Sequence, residues 1–277
     1  MSSMYADLGR PPLSAETLRR ALVTPGSLWT DVEVVAEAES TNALLAQRAV
    51  SGAGSGLVLI AEHQTAGRGR LDRTWTAPPR SGLTMSALVR PHDVEVTQWP
   101  WLPLLAGLAV AAAVRREARL PAKVKWPNDV LVGDRKLAGV LVGRVEAGDL
   151  PPAAVIGMGL NVSQRESELP APSATSLLVE DAATGDRSLL ARAILRALQG
   201  LVTTWQLHGG GTGSELHAAY VDACATVGQR VSVQVCAGEP IRGTAVGVDG
   251  GGRLLVQTHD GQVALAAGDV MHVRPQT

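Results

Sequence analysis

Cysteine is almost absent from the 277 residues: only Cys224 and Cys236 occur, twelve positions apart and without neighbouring histidines, which matches no common zinc spacing. They read as inert thiols of a reduced, cytoplasmic protein. No Walker-type Gly-x-x-x-x-Gly-Lys-Ser/Thr is present, and no Gly-x-Gly-x-x-Gly opens a helix after a strand, so the familiar nucleotide-binding motifs are missing. The six histidines are scattered and group with no other metal ligand. His63 is the only one inside a motif, where a packing or solvent-facing role outweighs that of a base. A net charge of −1 gives no general electrostatic reason to bind nucleic acid or an anionic membrane. The N-terminus lacks the basic start and apolar run of a secretory signal. The most apolar stretch, Leu102 to Val114, is shorter than the ~20 residues of a membrane span. It also contains Pro103 and Gly107. Any anion recognition must therefore be local.

Phenylalanine is missing altogether, and only three of the 25 basic residues are lysine: Lys123, Lys125 and Lys136. Asparagine is as scarce, at Asn42, Asn128 and Asn161. Such a bias marks the retained residues as candidates for work that arginine or another polar residue would not do. A lysine ammonium is a compact point charge with three rotatable donors, suited to phosphate or carboxylate oxygens.

The hydrophobic pattern predicts a mixture of helices and strands, hence an α/β or α+β core. Helices are expected over Ser14–Val23, Ser40–Val50, Leu102–Arg119, Ser188–His208 and Glu215–Ala225. Strands are expected at Asp31–Ala36, Leu57–Glu62, Leu83–Val89 and Ala154–Gly159, with a hairpin from Val130–Val132 and Leu137–Val145. Gly209–Ser214 reads as a flexible connector. Beyond Gly228 the apolar residues alternate in five short strands, the mark of a small barrel, with Asp260-Gly261 as a hairpin turn and Asp249–Gly252 as a looser one. The expected division is 1–27 for a tail with a short helix, 28–226 for a catalytic domain and 227–277 for the barrel.

Two segments carry chemistry. Gly67-Arg68-Gly69-Arg70, followed by Arg73 and Trp75, combines glycines that let backbone approach a ligand with guanidinium groups that neutralise phosphate. From Lys123 to Val145, a proline-set turn presents Asn128 and Asp129 before a strand, and a second turn leads to Lys136. A third, weaker segment, Val155–Val162, ends a strand in glycines and Asn161.

Taken together, Ser40-Thr41-Asn42, Gln64 with Gly67 to Arg70, Lys125-Trp126-Pro127-Asn128-Asp129, Arg135 to Gly139 and Gly157 to Asn161 resemble the biotin protein ligases, in that family's order. The tail end resembles the family's small SH3-like domain, so the resemblance covers nearly the whole chain. It implies an α+β fold: a mixed, mostly antiparallel sheet with flanking helices, of the class II synthetase and biotin ligase kind, plus an SH3-like C-terminal barrel. Carried over by position, it implies that Ser40, Thr41, Asn42, Gln64, Gly67, Arg68, Gly69, Arg70, Lys136 and Gly139 meet biotin. Arg70, Trp75, Asn128, Asp129 and Asn161 would meet the nucleotide, with Lys136, Arg68 and Arg70 as the catalytic cations. ATP with its Mg²⁺ would activate biotin to biotinyl-5'-AMP, without a protein-held metal. A lysine of a biotin carboxyl carrier domain of an acyl-CoA carboxylase would then take the acyl group. Three rivals compete with this reading: a lipoate or octanoate ligase, a ligase that also represses transcription through a DNA-binding domain, and a silent adaptor. Before Ser40 stand 39 residues with a charge balance of −3, too few and too acidic for a winged helix, so no DNA partner and no membrane partner are expected. The paired arginine loop and Asn-Asp turn favour biotin, and the full set of charged motif residues disfavours the adaptor.

Overall fold

The computed structural model describes residues 9–71, 73–148, 150–235 and 239–273. Ser14 caps α1 (Ala15–Leu22) by accepting the Thr17 amide, and Leu18 and Leu22 turn inward as the amphipathic spacing requires. β1 (Asp31–Val35) runs parallel to β2 (Leu57–Ala61), with α2 (Thr41–Val50) as the crossover between them. The remaining strand pairings of this sheet are antiparallel. β2 is followed by β3 (Gly82–Val89), β7 (Leu150–Asn161), β6 (Arg135–Ala147), β5 (Asp129–Val132) and β4 (Lys123–Lys125) across seven strands. The sheet is thus mixed and mostly antiparallel.

Alternation sorts the two faces of this sheet. Val58, Ile60, Met85, Ala87 and Ile156 join the main core with α1, α3 (Trp101–Ala113) and α4 (Arg187–Leu207). Their sequence neighbours Leu59, Leu88 and Val155 turn the other way, onto Leu45 and Ala49 of α2. α3 is apolar on every side and buried along its length, which explains why its pattern shows no stripe. Each fully buried leucine there contributes about 1.5–3 kcal/mol relative to exposure. Because α2 is short, the part of its face of the sheet beyond it stays uncovered, and the site lies there.

α5 (Gly213–Ala223) leads into the second sheet, β8 (Arg230–Gln234), β9 (Ile241–Val248), β10 (Leu254–Thr258), β11 (Gly261–Leu265) and β12 (Asp269–His272), ordered β11-β10-β9-β8-β12. Asp249 shapes the β9–β10 turn by accepting the amides of Gly251 and Arg253, each at 2.9 Å. Two indoles of the first unit hold this turn: Trp101 Nε1 donates to Gly250 O at 2.8 Å and Trp126 Nε1 to Gly252 O at 3.0 Å.

Several expectations change. Gly209–Ser214 is not a loose connector: Gly209 and Gly210 adopt positive φ, and their amides close on the Gln206 and Trp205 carbonyls to stop α4, after which α5 starts at Gly213. β7 begins at Leu150 despite Pro151 and Pro152, because β3 reaches no further than Ala154 and asks for no amides there. β4 was hidden in the sequence, since three residues are too few to show a period. The long helix gives way at Val114 to a π turn, which Arg119 ends in the left-handed region. Cys224 is a buried free thiol, and Cys236 lies outside the described residues. Among the described residues, no helix is long and apolar enough to cross a membrane.

Candidate active site

The uncovered bay is floored by glycines. Gly139 of β6 faces Gly159 of β7, and Leu141 faces Gly157 in the same register. The Trp75 ring lies on the first pair: a Cβ on Gly159 would sit 2.4 Å from its indole carbon. Asn42 lies on the second, where a Cβ on Gly157 would come within 2.2 Å of its amide oxygen. Neither Gly157 nor Gly159 tolerates a side chain while these residues keep their places. Replacing Gly157 with alanine is accordingly expected to displace the Asn42 amide and weaken binding of the ligand that occupies this end of the bay about 10-fold to 10²-fold. An unchanged dissociation constant in titration calorimetry would show that Asn42 has no part in binding.

One end of the bay is polar and pre-assembled. Ser40 caps α2, accepting the Ala43 amide at 3.4 Å, and so brings Thr41 and Asn42 to the helix's positive end. Gln64 Oε1 accepts from the Thr41 amide at 2.8 Å and its hydroxyl at 3.0 Å, which fixes which end of the Gln64 amide is the donor. Ser86 Oγ lies 2.6 Å from both Thr41 Oγ1 and Asn42 Oδ1, while Asn42 Nδ2 donates to Leu141 O at 2.9 Å. Ser86 is fully buried, and its single proton serves one of those two oxygens. It carried no motif, so sequence reading missed it; a polar residue in the apolar run of β3 was the available signal.

The other end is cationic. Residues 67–69 and 73–75 fold back on one another, with Trp75 N donating to Gly67 O at 2.8 Å and Gly69 N to Arg73 O at 2.7 Å. Gly67 is required by this closure, since a Cβ would lie 2.3 Å from Trp75 O. Arg70 donates to Asn128 Oδ1 at 3.1 Å, and Asn128 in turn donates to Val140 O at 3.0 Å. Lys136 Nζ lies 2.6 Å from Asp129 Oδ1 and 5.9 Å from the Trp75 ring centroid. The angles at that ion pair fall outside hydrogen-bond geometry, so the buried carboxylate oxygen has charge compensation but no aligned donor. Arg68 is exposed and enters no ion pair among the described residues.

The barrel contributes as well. Asp269 pairs with Arg73 and holds its guanidinium above the usual arginine range through that hydrogen bond, while Arg70 donates to Gly268 O at 3.3 Å. No sequence signal linked residues almost two hundred positions apart. Together these groups enclose a cleft of about 810 Å³, part of it open solvent.

Of the expected site residues, Ser40, Thr41, Asn42, Gln64, Arg68, Gly69, Arg70, Trp75, Asn128, Asp129, Lys136 and Gly139 line this cleft. Gly67 and Asn161 do not. Asn161, expected on the nucleotide side, is buried with its amide engaged at both ends: it donates to Thr175 O at 2.8 Å and accepts from Gln164 at 3.0 Å. In this structure it holds the chain after β7 and offers no free atom to the cleft. His63 sits outside as well, 3.1 Å from Glu37 Oε2, in a solvent-facing pair.

Residues 34–161 match the biotin/lipoate A/B protein ligase family and residues 226–273 the biotin protein ligase C-terminal domain. A biotin–[acetyl-CoA-carboxylase] ligase of Mycobacterium tuberculosis is 43% identical over 96% of this chain and 97% of its own. The chain belongs to the biotin protein ligase family. A bifunctional ligase/repressor of Bacillus subtilis shares 30% identity with this family member, over 83% of this chain and 70% of the relative. The biotin protein ligase of Aquifex aeolicus, solved in complex with biotin and ATP, superposes with a TM-score of 0.73 at 27% identity, covering 89% of this chain and 100% of that one.

Proposed function

We propose that this member of the family activates biotin with ATP to biotinyl-5'-AMP and transfers it to a lysine of a biotin carboxyl carrier domain of an acyl-CoA carboxylase. The observation that carries this reading is one continuous cleft with a pre-assembled amide and hydroxyl end and a cationic end. Ser40, Thr41, Asn42 and Gln64 face the polar ring system of biotin. The Gly67–Arg70 loop and Gly139 flank its chain, and Lys136 holds the carboxylate against the α-phosphate. Trp75, Asn128, Asp129 and Arg70 border the nucleotide. Asn161 acts by positioning the segment after β7.

In the first step a biotin carboxylate oxygen bonds to the α-phosphorus as the bond to pyrophosphate breaks. In the second, the lysine amine bonds to the acyl carbon, AMP leaves with the electron pair, and the amine proton passes to solvent. No covalent enzyme intermediate is needed. Alignment by the rigid floor, and cations placed where negative charge builds, supply the acceleration. Among the described residues no cluster of three or more candidate ligands forms, and Asp129 and Asp269 are the carboxylates in the cleft. That donor set suits Mg²⁺ carried by the ATP phosphates with one or two carboxylates, where it neutralises phosphate charge.

The boundary between 28–226 and 227–277 is supported by two separately hydrogen-bonded sheets, whereas α1, within 1–27, packs through Leu18 and Leu22 into the core of the first; the cytoplasm, where ATP and the carboxylases meet, is the proposed place of action. Mixing the protein with Mg-ATP, biotin and a biotin-accepting domain is expected to add one biotin mass to one lysine, read by mass spectrometry. No mass increase would defeat the proposal. The repressor alternative predicts a specific gel shift with the operator of the biotin genes, and none is expected.

A further inference from the structure

The cleft has a neighbour. A second pocket of about 620 Å³, part of it open solvent, shares Arg70, Asn128, Val140 and Leu141 with it, so that the hydrogen-bonded Arg70 and Asn128 line both. Its own walls are apolar: Pro100, Pro103 and Leu104 of the α3 end, Trp126 with Pro127, and Val142 of β6. The barrel closes it through Gly252 and Ala266. Arg70 is the one ionisable group lining it among the described residues. The two cavities therefore adjoin at the four shared residues, one polar and cationic, the other nearly uncharged.

We infer that this second pocket admits the side chain of the acceptor lysine. The inference rests on the ligase reading above. Once biotinyl-adenylate fills the main cleft, a nucleophile needs another approach to the acyl carbon, and the second pocket meets the cleft at Arg70, the residue placed both beside the biotin chain and at the nucleotide, hence at the junction of the two. Apolar walls suit the four methylenes of a lysine. Low polarity and the Arg70 charge both disfavour the ammonium form, so the amine arrives as the neutral nucleophile that acyl transfer needs. The N–C bond then forms as the C–O bond to AMP breaks, and the amine proton leaves to solvent. This gives the barrel a part in the transfer step. Its β9–β10 turn, pinned by the Trp101 and Trp126 indoles, and its β11–β12 bend form one wall of the passage.

Ala266 is exposed in that bend, so Ala266→Phe narrows the passage without entering a core. Biotin-dependent ATP–pyrophosphate exchange is expected to stay within about twofold of wild type, while single-turnover transfer from preformed adenylate falls at least about tenfold, both to the carrier domain and to N-acetyl-lysine methylamide. Val142→Phe, on the opposite wall, should do the same. Equal losses in exchange and transfer would place nucleotide in this pocket, and unchanged transfer would send the acceptor through the main cleft; either overturns the inference. A loss confined to the carrier domain would make Ala266 part of an outer docking surface and would overturn it too. Absence of exchange in the wild-type protein would instead defeat the ligase reading itself.

Discussion

Lys136→Ala is expected to slow biotinyl-adenylate formation about 10²-fold or more, the usual penalty for removing one fixed electrostatic donor from a reacting centre. The readout is biotin-dependent ATP–pyrophosphate exchange. Lys136 stands 2.6 Å from Asp129 and against the Gly139–Gly159 floor, where a Cβ on Gly139 would lie 3.2 Å from its terminal atoms. Lys136→Arg is expected to restore only a small part of the rate, because a planar, delocalised fork places its charge differently from a compact ammonium. Arg68→Ala, on the loop that Gly67 and Trp75 close, is expected to cost a similar factor. Removing Lys136 also leaves the Asp129 carboxylate without its cation, so the melting temperature has to be followed alongside. A wild-type exchange rate in Lys136→Ala would remove that residue from the reaction.

Arg187→Ala is expected to have the largest effect on stability. Glu62 at the end of β2 and Arg187 at the start of α4 form an ion pair with side chains only 8% and 6% exposed, 2.5 Å apart. Glu62 also accepts the Leu13 amide at 2.6 Å, and Arg187 donates to Pro11 O at 2.5 Å and Gly82 O at 3.3 Å. The pair thus straps the residues before α1 across the strand that leads to Gln64. Deleting one partner leaves a buried charge uncompensated, at about 3–5 kcal/mol. For a chain of this size that lowers the melting temperature by roughly 6–20 °C. The double substitution Glu62→Leu, Arg187→Met should recover most of the loss, since an apolar pair has no charge to bury. A single mutant that melts like wild type would show the pair to be energetically idle.

The sequence was most legible where a residue's own chemistry is tied to its neighbours in the chain. The capped start of α2, the apolar body of α3 and the alternation of the barrel strands all follow from local spacing, and all formed. Rare residues were informative too: Asn42, Asn128 and Lys136 converge on one cleft from three separate elements. Asn161 shows the limit of that argument, for scarcity marks a residue that is needed without saying what for, and here both ends of its amide serve the backbone and Gln164. What stayed hidden was tertiary. Ser86 matters through the strand pairing that sets it beneath Thr41 and Asn42, and Asp269 through a barrel that returns to the arginine loop. Lys123 and Lys125, as rare as Lys136, lie away from the cleft on the last strand of the sheet, whose outer side is met at Val124 by Cys224 and the Ala225 amide.

The two indole bonds onto the β9–β10 turn bear on how the chain is completed during synthesis. Trp126 is buried, and its N–H finds its acceptor 126 residues further along. At about 5–20 residues per second, that partner emerges from the ribosome some 6–25 s later. Until then a core indole beside the Asn128–Asp129 turn has a donor with no acceptor, at about 1–3 kcal/mol. The reaction centre gains its last contacts, Gly268 to Arg70 and Asp269 to Arg73, only when nearly all of the chain has been translated, and a chain released early lacks them along with the barrel.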